Sequence, residues 1–310
     1  MRVAALAGGV GGAKLAHGLA SVLAPDELTL IVNTGDDFDY LGLRICPDLD
    51  TVCYTLAGLA NIDTGWGQAA ETWQVFSGIQ RLGGPSWFRL GDRDLATHLE
   101  RTRLLREGEP LSAIVRNFCE AWGVRQAVLP MTDDRVATIL RTDEGDLEFQ
   151  EYFVHRDCRP KVHGVTFSGA ASAGPAPGVI ESLRSADGII LCPSNPFVSI
   201  APIMALPGVA DAIDSSRTVA VSPIVGGEAL KGPAAKMFRE MGIAPSATAI
   251  SDFYGKSIAG LVLDEKDARQ VPEINARGTR TLVTRTVMKD DRDRRTLAQA
   301  VLEFLKSGWQ

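Results

Sequence analysis

RVAALA, GGVGG and AKLAHGLASVL are the three consecutive pieces of residues 2–23. The first is a short apolar run. The second, Gly8–Gly12, reads as too glycine-rich for regular structure, and the third has the apolar spacing of a helix. Strand, glycine turn and helix are followed after Pro25 by a second apolar strand, Leu28–Asn33, which runs directly into Thr34-Gly35-Asp36-Asp37. Two parallel strands joined through a helix are the opening unit of a doubly wound sheet.

Beyond this unit, Pro47, Asp48 and Asp50 precede a helical stripe over Thr51–Ala60. The pattern then changes to helical segments rich in Trp, Arg and Glu. Extended signals return at Ala127–Leu129, Val136–Arg141, Leu147–Val154 and Val162–Phe167, read as antiparallel additions to the main sheet. The last third alternates again. Helices are expected at Gly178–Ala186, near Ile200–Ile213, at Ala234–Met241 and at Thr296–Lys306, and strands at Gly188–Cys192, Thr218–Val221 and Ile258–Leu263. The expected class is α/β: a doubly wound, mostly parallel Rossmann-like sheet with a helical insertion. Residues 1–65 and 125–310 form the nucleotide- or diphosphate-binding domain, and residues 66–124 form the cap.

The chain has 310 residues, 45% of them hydrophobic and 23% charged, which excludes a disordered or collagen-like protein. Its 32 Lys and Arg against 38 Asp and Glu give a net charge of −6, so no global basic field recruits nucleic acid or an anionic membrane. An anionic substrate would need a local cradle or a metal. No apolar run approaches the ~20 residues that span a bilayer. Five cysteines without CxxC spacing fit a reducing cytoplasm, the expected location.

Four constellations carry chemistry. The glycine loop with Lys14 can present backbone amides, a helix N-terminus and an ammonium to a diphosphate; an ordinary turn with an exposed lysine is the alternative. Asp36, Asp37, Asp39, Asp48 and Asp50 gather after strand two, where ligands of open α/β sheets bind, and acid beside phosphate implies magnesium. The run Arg89-Leu90-Gly91-Asp92-Arg93-Asp94, followed by His98, Arg101 and Arg103, offers guanidinium groups for phosphate or a heterocycle edge, or else surface ion pairs. Cys192-Pro193-Ser194-Asn195-Pro196 closes a strand with groups that could read a base or ribose, and Ser222–Gly227 forms a similar turn with Lys231 nearby. No Gly-x-Ser-x-Gly elbow or Cys/His pair supports covalent catalysis.

The segments AGGVGGAKL (7–15), VNTGDD (32–37), LRICPDLDTVCYTL (43–56), GWG (65–67), WFRLGDRDLATHLERT (87–102), LPMTDD (129–134), CPSNPFVSIAPIMALPGV (192–209) and VSPIVGG (221–227) together resemble the 2-phospho-L-lactate transferase family. That family is known as CofD, and in actinobacteria as FbiA, and acts in biosynthesis of the deazaflavin coenzyme factor 420. The resemblance implies transfer of a phospho-acid group from its guanosine diphosphate adduct to the ribityl hydroxyl of 7,8-didemethyl-8-hydroxy-5-deazariboflavin (Fo), with release of GMP. Family members transfer phospholactate, phosphoenolpyruvate or 3-phosphoglycerate. The resemblance further implies Mg2+ and a homodimer. It assigns Gly9, Val10, Gly11, Gly12 and Lys14 to the diphosphate, and Ser194 and Asn195 to guanosine. Asp37, with Asp36, is assigned to the metal. Asp50, Arg89 and Asp92 are assigned to the acceptor, with Asp50 and Asp37 as catalytic groups. A nucleotide-dependent oxidoreductase and a non-enzymatic nucleotide-sugar-binding regulator of the same fold are the alternative readings.

Overall fold

The computed structural model describes residues 1–307. Seven strands form one parallel sheet: β1 (Val3–Ala7), β2 (Leu28–Val32), β3 (Ala127–Pro130), β4 (Gly188–Leu191), β5 (Thr218–Val221), β6 (Gly260–Asp264) and β7 (Arg280–Thr284). Their spatial order is β3-β2-β1-β4-β5-β6-β7, all parallel. The α/β doubly wound class expected from the sequence is the fold observed.

The apolar runs are continuous because both faces are covered. Along β1, Ala4 and Leu6 enter one core while Val3, Ala5 and Ala7 enter the other. Helices α1 (Gly9–Ala20) and α2 (Pro47–Leu56) lie on one face with the closing helix Asp291–Ser307. On the other face lie the helices Val179–Ser185, Ala234–Glu240 and Ala247–Tyr254. Successive strands proceed outward from β1 in both directions, so the order reverses between β1 and β4, and the crevice above that point is where such sheets take ligands.

Three expectations need correction. The glycine run is not irregular: α1 begins at Gly9, inside it, because close packing against the turn after β4 outweighs glycine's weak helix propensity. The four extended segments after residue 126 do not all join the main sheet as antiparallel strands. Only β3 joins, and it is parallel to β2. Ala137–Thr142, Gly145–Glu148 and Val162–Ser168 build a separate antiparallel sheet, and Glu151–His155 is a helical turn in which Phe149 stacks on Phe153 at i+4. The single helix expected near Ile200–Ile213 is broken into Ala201–Met204 and Val209–Ala212 around Pro207 and Gly208.

Between α2 and β3 the chain is helical, as α3 (Gln74–Arg81), α4 (Asp92–Arg106) and α5 (Leu111–Ala121). A hairpin of Phe38–Tyr40 and Leu43–Ile45 packs with Trp87, Phe88 and Leu90 into a small aromatic core of its own. That core fixes the 87–90 segment over the carboxyl ends of the sheet. No helix among the described residues is long and apolar enough to cross a membrane.

Candidate functional site

A cavity of about 710 Å³ opens above the crossover point between β1 and β4. Its walls include Gly8–Gly11, Lys14 and the Pro193–Asn195 turn, and the aromatic side chains of Trp87, Phe88, Phe149 and Phe153. Asp36, Asp48 and Asp50 lie along it.

The glycines are there for approach. A Cβ on Gly11 would overlap the Pro193 carbonyl oxygen, one on Gly12 the Ser194 hydroxyl, and one on Gly8 the Asp48 carboxylate. Gly9 has φ +61°, which side chains disfavour. Ser194 stitches the two turns together: its Oγ accepts the Gly8 N–H at 3.1 Å and donates to the Gly8 carbonyl at 2.8 Å. Asn195 accepts the Phe197 N–H at 3.0 Å. Both residues face the cavity with those bonds already made. The Lys14 ammonium donates to the Met288 carbonyl at 2.8 Å. Burial lowers its pKa, and the charges of Arg294 and Lys231 add to the effect. Lys231, which also lines the cavity, donates to the Thr64 carbonyl at 3.1 Å.

The five aspartates part company. Asp39 is an exposed ion-pair partner of Arg44 and Arg135. Asp37 does not line the cavity: it is buried, with the Cys46 thiol and the Arg44 guanidinium near its carboxyl, and burial pushes its pKa up to about 8. Asp36 and Asp48 do reach it, on either side of Asn33. The Asn33 amide nitrogen lies 3.2 Å from Asp36 Oδ1 and 2.9 Å from Asp48 Oδ2. Gln150 donates to the other Asp36 oxygen at 3.0 Å. Asp48 Oδ1 accepts the Gly9 N–H at 2.6 Å, so a carboxylate sits directly on the glycine loop. Burial raises both pKa values, Asp48 to about 6, and the Asp48 charge raises Asp36 further. Two buried carboxylates that repel one another beside the glycine loop are the donor set that a hard divalent cation relieves. Asp36 and Asp48 therefore fit magnesium; Asp37, the expected partner of Asp36, faces elsewhere.

Asp48 and Asp50 stand two residues apart in the first turn of α2, so they point about 200° apart around its axis. Asp48 turns to the glycine loop. Asp50 turns to α4, where Arg101 grips both its oxygens and His98 Nδ1 is 3.7 Å away.

Of the remaining expected acceptor contacts, Arg89 lines the cavity at its rim, with its guanidinium 4.5 Å from the Trp73 ring centroid. Asp92 does not line it. Its carboxylate accepts from Gln74 N at 3.0 Å, Val75 N at 3.1 Å and the Thr72 hydroxyl, anchoring the start of α3. Gly91 is required for a different reason. Glu71 caps α4 by accepting from Arg93 N and Asp94 N, and a Cβ on Gly91 would overlap its carboxylate.

The sequence gives no sign of Asn33 or Gln150, and it offers Asp48 only as one of five clustered aspartates and Asp94, His98 and Arg101 only as part of an arginine-rich run. For the last three a signal existed: spacings of i, i+4 and i+7 put polar residues on one stripe of α4, where an apolar stripe is the rule.

The family model for 2-phospho-L-lactate transferase CofD matches residues 3–303. A phosphoenolpyruvate transferase of Streptomyces griseus is 42% identical over 98% of both chains. A 2-phospho-L-lactate transferase of Methanopyrus kandleri is 39% identical over 99% of this chain and 98% of its own. A crystal structure of a UPF0052 family protein from Bacillus halodurans shares the fold, with a TM-score of 0.63 at 16% identity, over 97% of this chain and 98% of that one.

Proposed function

The chain belongs to the 2-phospho-L-lactate transferase CofD family, and on that premise we propose that it transfers a phospho-acid group from a guanosine diphosphate adduct to the ribityl hydroxyl of Fo, releasing GMP, in factor 420 biosynthesis. The observation that carries this reading is one cavity lined by a glycine–lysine cradle, aromatic side chains and three carboxylates. A two-substrate transfer needs that arrangement: an anion site, a flat apolar site, and charge control where they meet.

In this scheme the α1 N-terminus and Lys14 hold the diphosphate. Trp87, Phe88, Phe149 and Phe153 take the deazaflavin ring, which places the ribityl chain over Asp50. The alcohol oxygen bonds to the phosphorus of the phospho-acid while the P–O bond to GMP breaks, its electron pair leaving on GMP. The alcohol proton passes to solvent or a carboxylate. For such a displacement, alignment and charge stabilisation supply most of the rate. Asp36 and Asp48 would hold Mg2+, which when bound neutralises charge on the phosphate oxygens. Asp50 accepts the O–H of the attacking alcohol and so fixes its direction.

The test is to incubate the protein with Fo, Mg2+ and, separately, the phospholactate, phosphoenolpyruvate and 3-phosphoglycerate adducts of GMP, and to identify the product by mass. Formation of a phosphodiester of Fo with GMP release supports the reading and names the donor; no product from any adduct overturns it. We also propose a homodimer. Val75 and Leu82, exposed at α3, are the kind of apolar surface a subunit contact covers, and light scattering on the purified protein reads the state.

A further inference from the structure

Behind Asp50 lies a buried polar assembly that the scheme above does not use. Arg101 and His98 are each 1% exposed, and both project inward from α4. Arg101 does not line the cavity, whereas Asp50, Asp94, His98 and Tyr54 do. Its guanidinium meets Asp50 fork to fork: Nη1 donates to Oδ2 at 3.1 Å and Nη2 to Oδ1. Nη1 also contacts the Arg44 carbonyl at 3.3 Å and His98 Nδ1 at 3.2 Å.

The hydrogen positions follow from the chemistry. A guanidinium has donors only, so His98 Nδ1 must accept, and the ring proton belongs on Nε2. Nε2 lies 3.3 Å from Asp94 Oδ1, which also accepts the Tyr54 hydroxyl at 2.7 Å. Hydrogen bonds therefore join Tyr54 to Asp94, and His98 through Arg101 to Asp50, while His98 Nε2 lies beside Asp94 without bonding geometry; the Asp50 carboxylate lies on the cavity wall. Buried ion pairs of this kind seldom add stability over apolar packing of the same volume, so stability alone is a poor reason to keep one. The same groups could be taken for a metal site, since one ligand atom each from Asp50, Asp94 and His98 fall within 4.8 Å of one another. Arg101 already places a fixed positive charge there.

We propose that Arg101 and His98 are positioning residues for the acceptor. The guanidinium, itself oriented by the neutral imidazole, clamps Asp50 so that the lone pairs left free on its oxygens face the cavity and receive the O–H of the incoming alcohol. Arg101 lies behind the cavity wall, and His98, whose edge reaches the wall, bonds to Arg101. Both act through Asp50. The inference rests on the transferase reading and specifies which side chains give its acceptor site direction.

Two isosteres separate this role from a structural one. In H98N the amide stands near the Nδ1 position and can still accept from Arg101; in H98Q the amide stands near Nε2, on the Asp94 side, and leaves Arg101 without that acceptor. Steady-state kinetics, with each substrate varied in turn, should show acceptor kcat/KM about thirtyfold lower in H98Q but only about threefold lower in H98N, while donor KM moves less than about twofold in both. Thermal midpoints of the two variants should be alike. A cycle of R101K, D50N and the double variant covers the case in which H98Q does not fold. Lysine keeps the charge but not the fork, so R101K should lower acceptor kcat/KM about tenfold in the wild-type background and by less than about twofold once Asp50 is Asn. Equal losses in H98N and H98Q, a parallel rise in donor KM, or additive effects in the cycle would overturn the proposal while leaving the transferase intact. A wild-type protein that transfers from none of the three adducts would sink the transferase reading, and this one with it.

Discussion

Asp48→Asn should make the protein more stable at pH 8 and inactive. In the fold the Asp48 side chain is 6% exposed, and its pKa is about 6 instead of 3.8. Burial is the main cause, opposed by bonds from Asn33, Gly9 and Ser199. A folded pKa above the unfolded one means that the native state holds a proton the unfolded chain has released, so stability falls as pH rises from about 4 to about 6 and stays lower above that. A shift of about two units corresponds to about 3 kcal/mol lost at pH 8. Asp36 adds a loss of the same sign. Asparagine removes the charge and can still accept the Gly9 N–H, which Asp48 takes at 2.6 Å. Its amide then opposes the Asn33 amide, forfeiting the 2.9 Å bond at a cost of about 1 kcal/mol. The balance is a variant about 2 kcal/mol more stable than wild type at pH 8 and about 1 kcal/mol less stable at pH 4. Urea unfolding at both pH values measures it, the midpoint moving with the slope unchanged. Mg2+ should raise the wild-type midpoint at pH 8 and leave that of the variant in place. A variant destabilised equally at both pH values would refute the reasoning, since Asp48 would then be an ordinary hydrogen-bonded carboxylate and not half of a cation site.

Lys14→Met should raise donor KM about tenfold or more while acceptor KM stays near its wild-type value, read by steady-state kinetics over a range of salt; the wild-type donor KM alone should climb steeply with ionic strength. Arg89→Ala removes the guanidinium stacked over Trp73 and should weaken Fo binding about threefold to tenfold, measured by quenching of deazaflavin fluorescence, with donor binding unchanged. Asp92→Ala frees the N–H groups of Gln74 and Val75 at the start of α3; we expect a thermal midpoint lower by a few degrees and a donor KM close to wild type, whereas a large rise in donor KM would place Asp92 among the substrate contacts.

What could be seen in advance depended on whether one strand or one helix carried the whole signal. VAALA, LTLIV, GIIL, TVAV and GLVLD are buried on both faces, and a continuous apolar run needs no partner to be recognised. β7, RTLVT, sits at the sheet edge with no residue fully buried, and its polar residues hid it. The 38–45 hairpin turns through Leu41 and Gly42, both at positive φ; glycine is usual there, leucine is not, so the turn had no signature. Ala247–Tyr254 is a short helix with six of its eight residues buried, which erases the amphipathic period.

The site divides along the same line. Gly9, Gly11, Gly12 and Lys14 belong to one strand–helix turn, and a local motif can be read locally. Which aspartate does what is a question of facing. Asp36 and Asp37 are adjacent, yet one meets Gln150 and the other Cys46; Asp48 and Asp50 share a helical turn, yet meet Gly9 and Arg101. Each of those partners except Cys46 is brought in from elsewhere in the chain, as far as 114 positions away for Gln150. Composition supplies clustered carboxylates; only packing turns Asp36 and Asp48 to Asn33 and Asp50 to Arg101. An Asp36→Asn and Asp48→Asn cycle should therefore be strongly non-additive in turnover, because either change alone already breaks the shared site. Asp50→Asn combined with Asp48→Asn should be closer to additive, because in the proposed scheme one would hold the cation and the other the acceptor alcohol, from opposite faces of α2. Coupling of equal size in both cycles, measured as kcat/KM for each substrate, would mean that the aspartates form one undivided acidic patch and that the facing seen in the fold does not govern the chemistry.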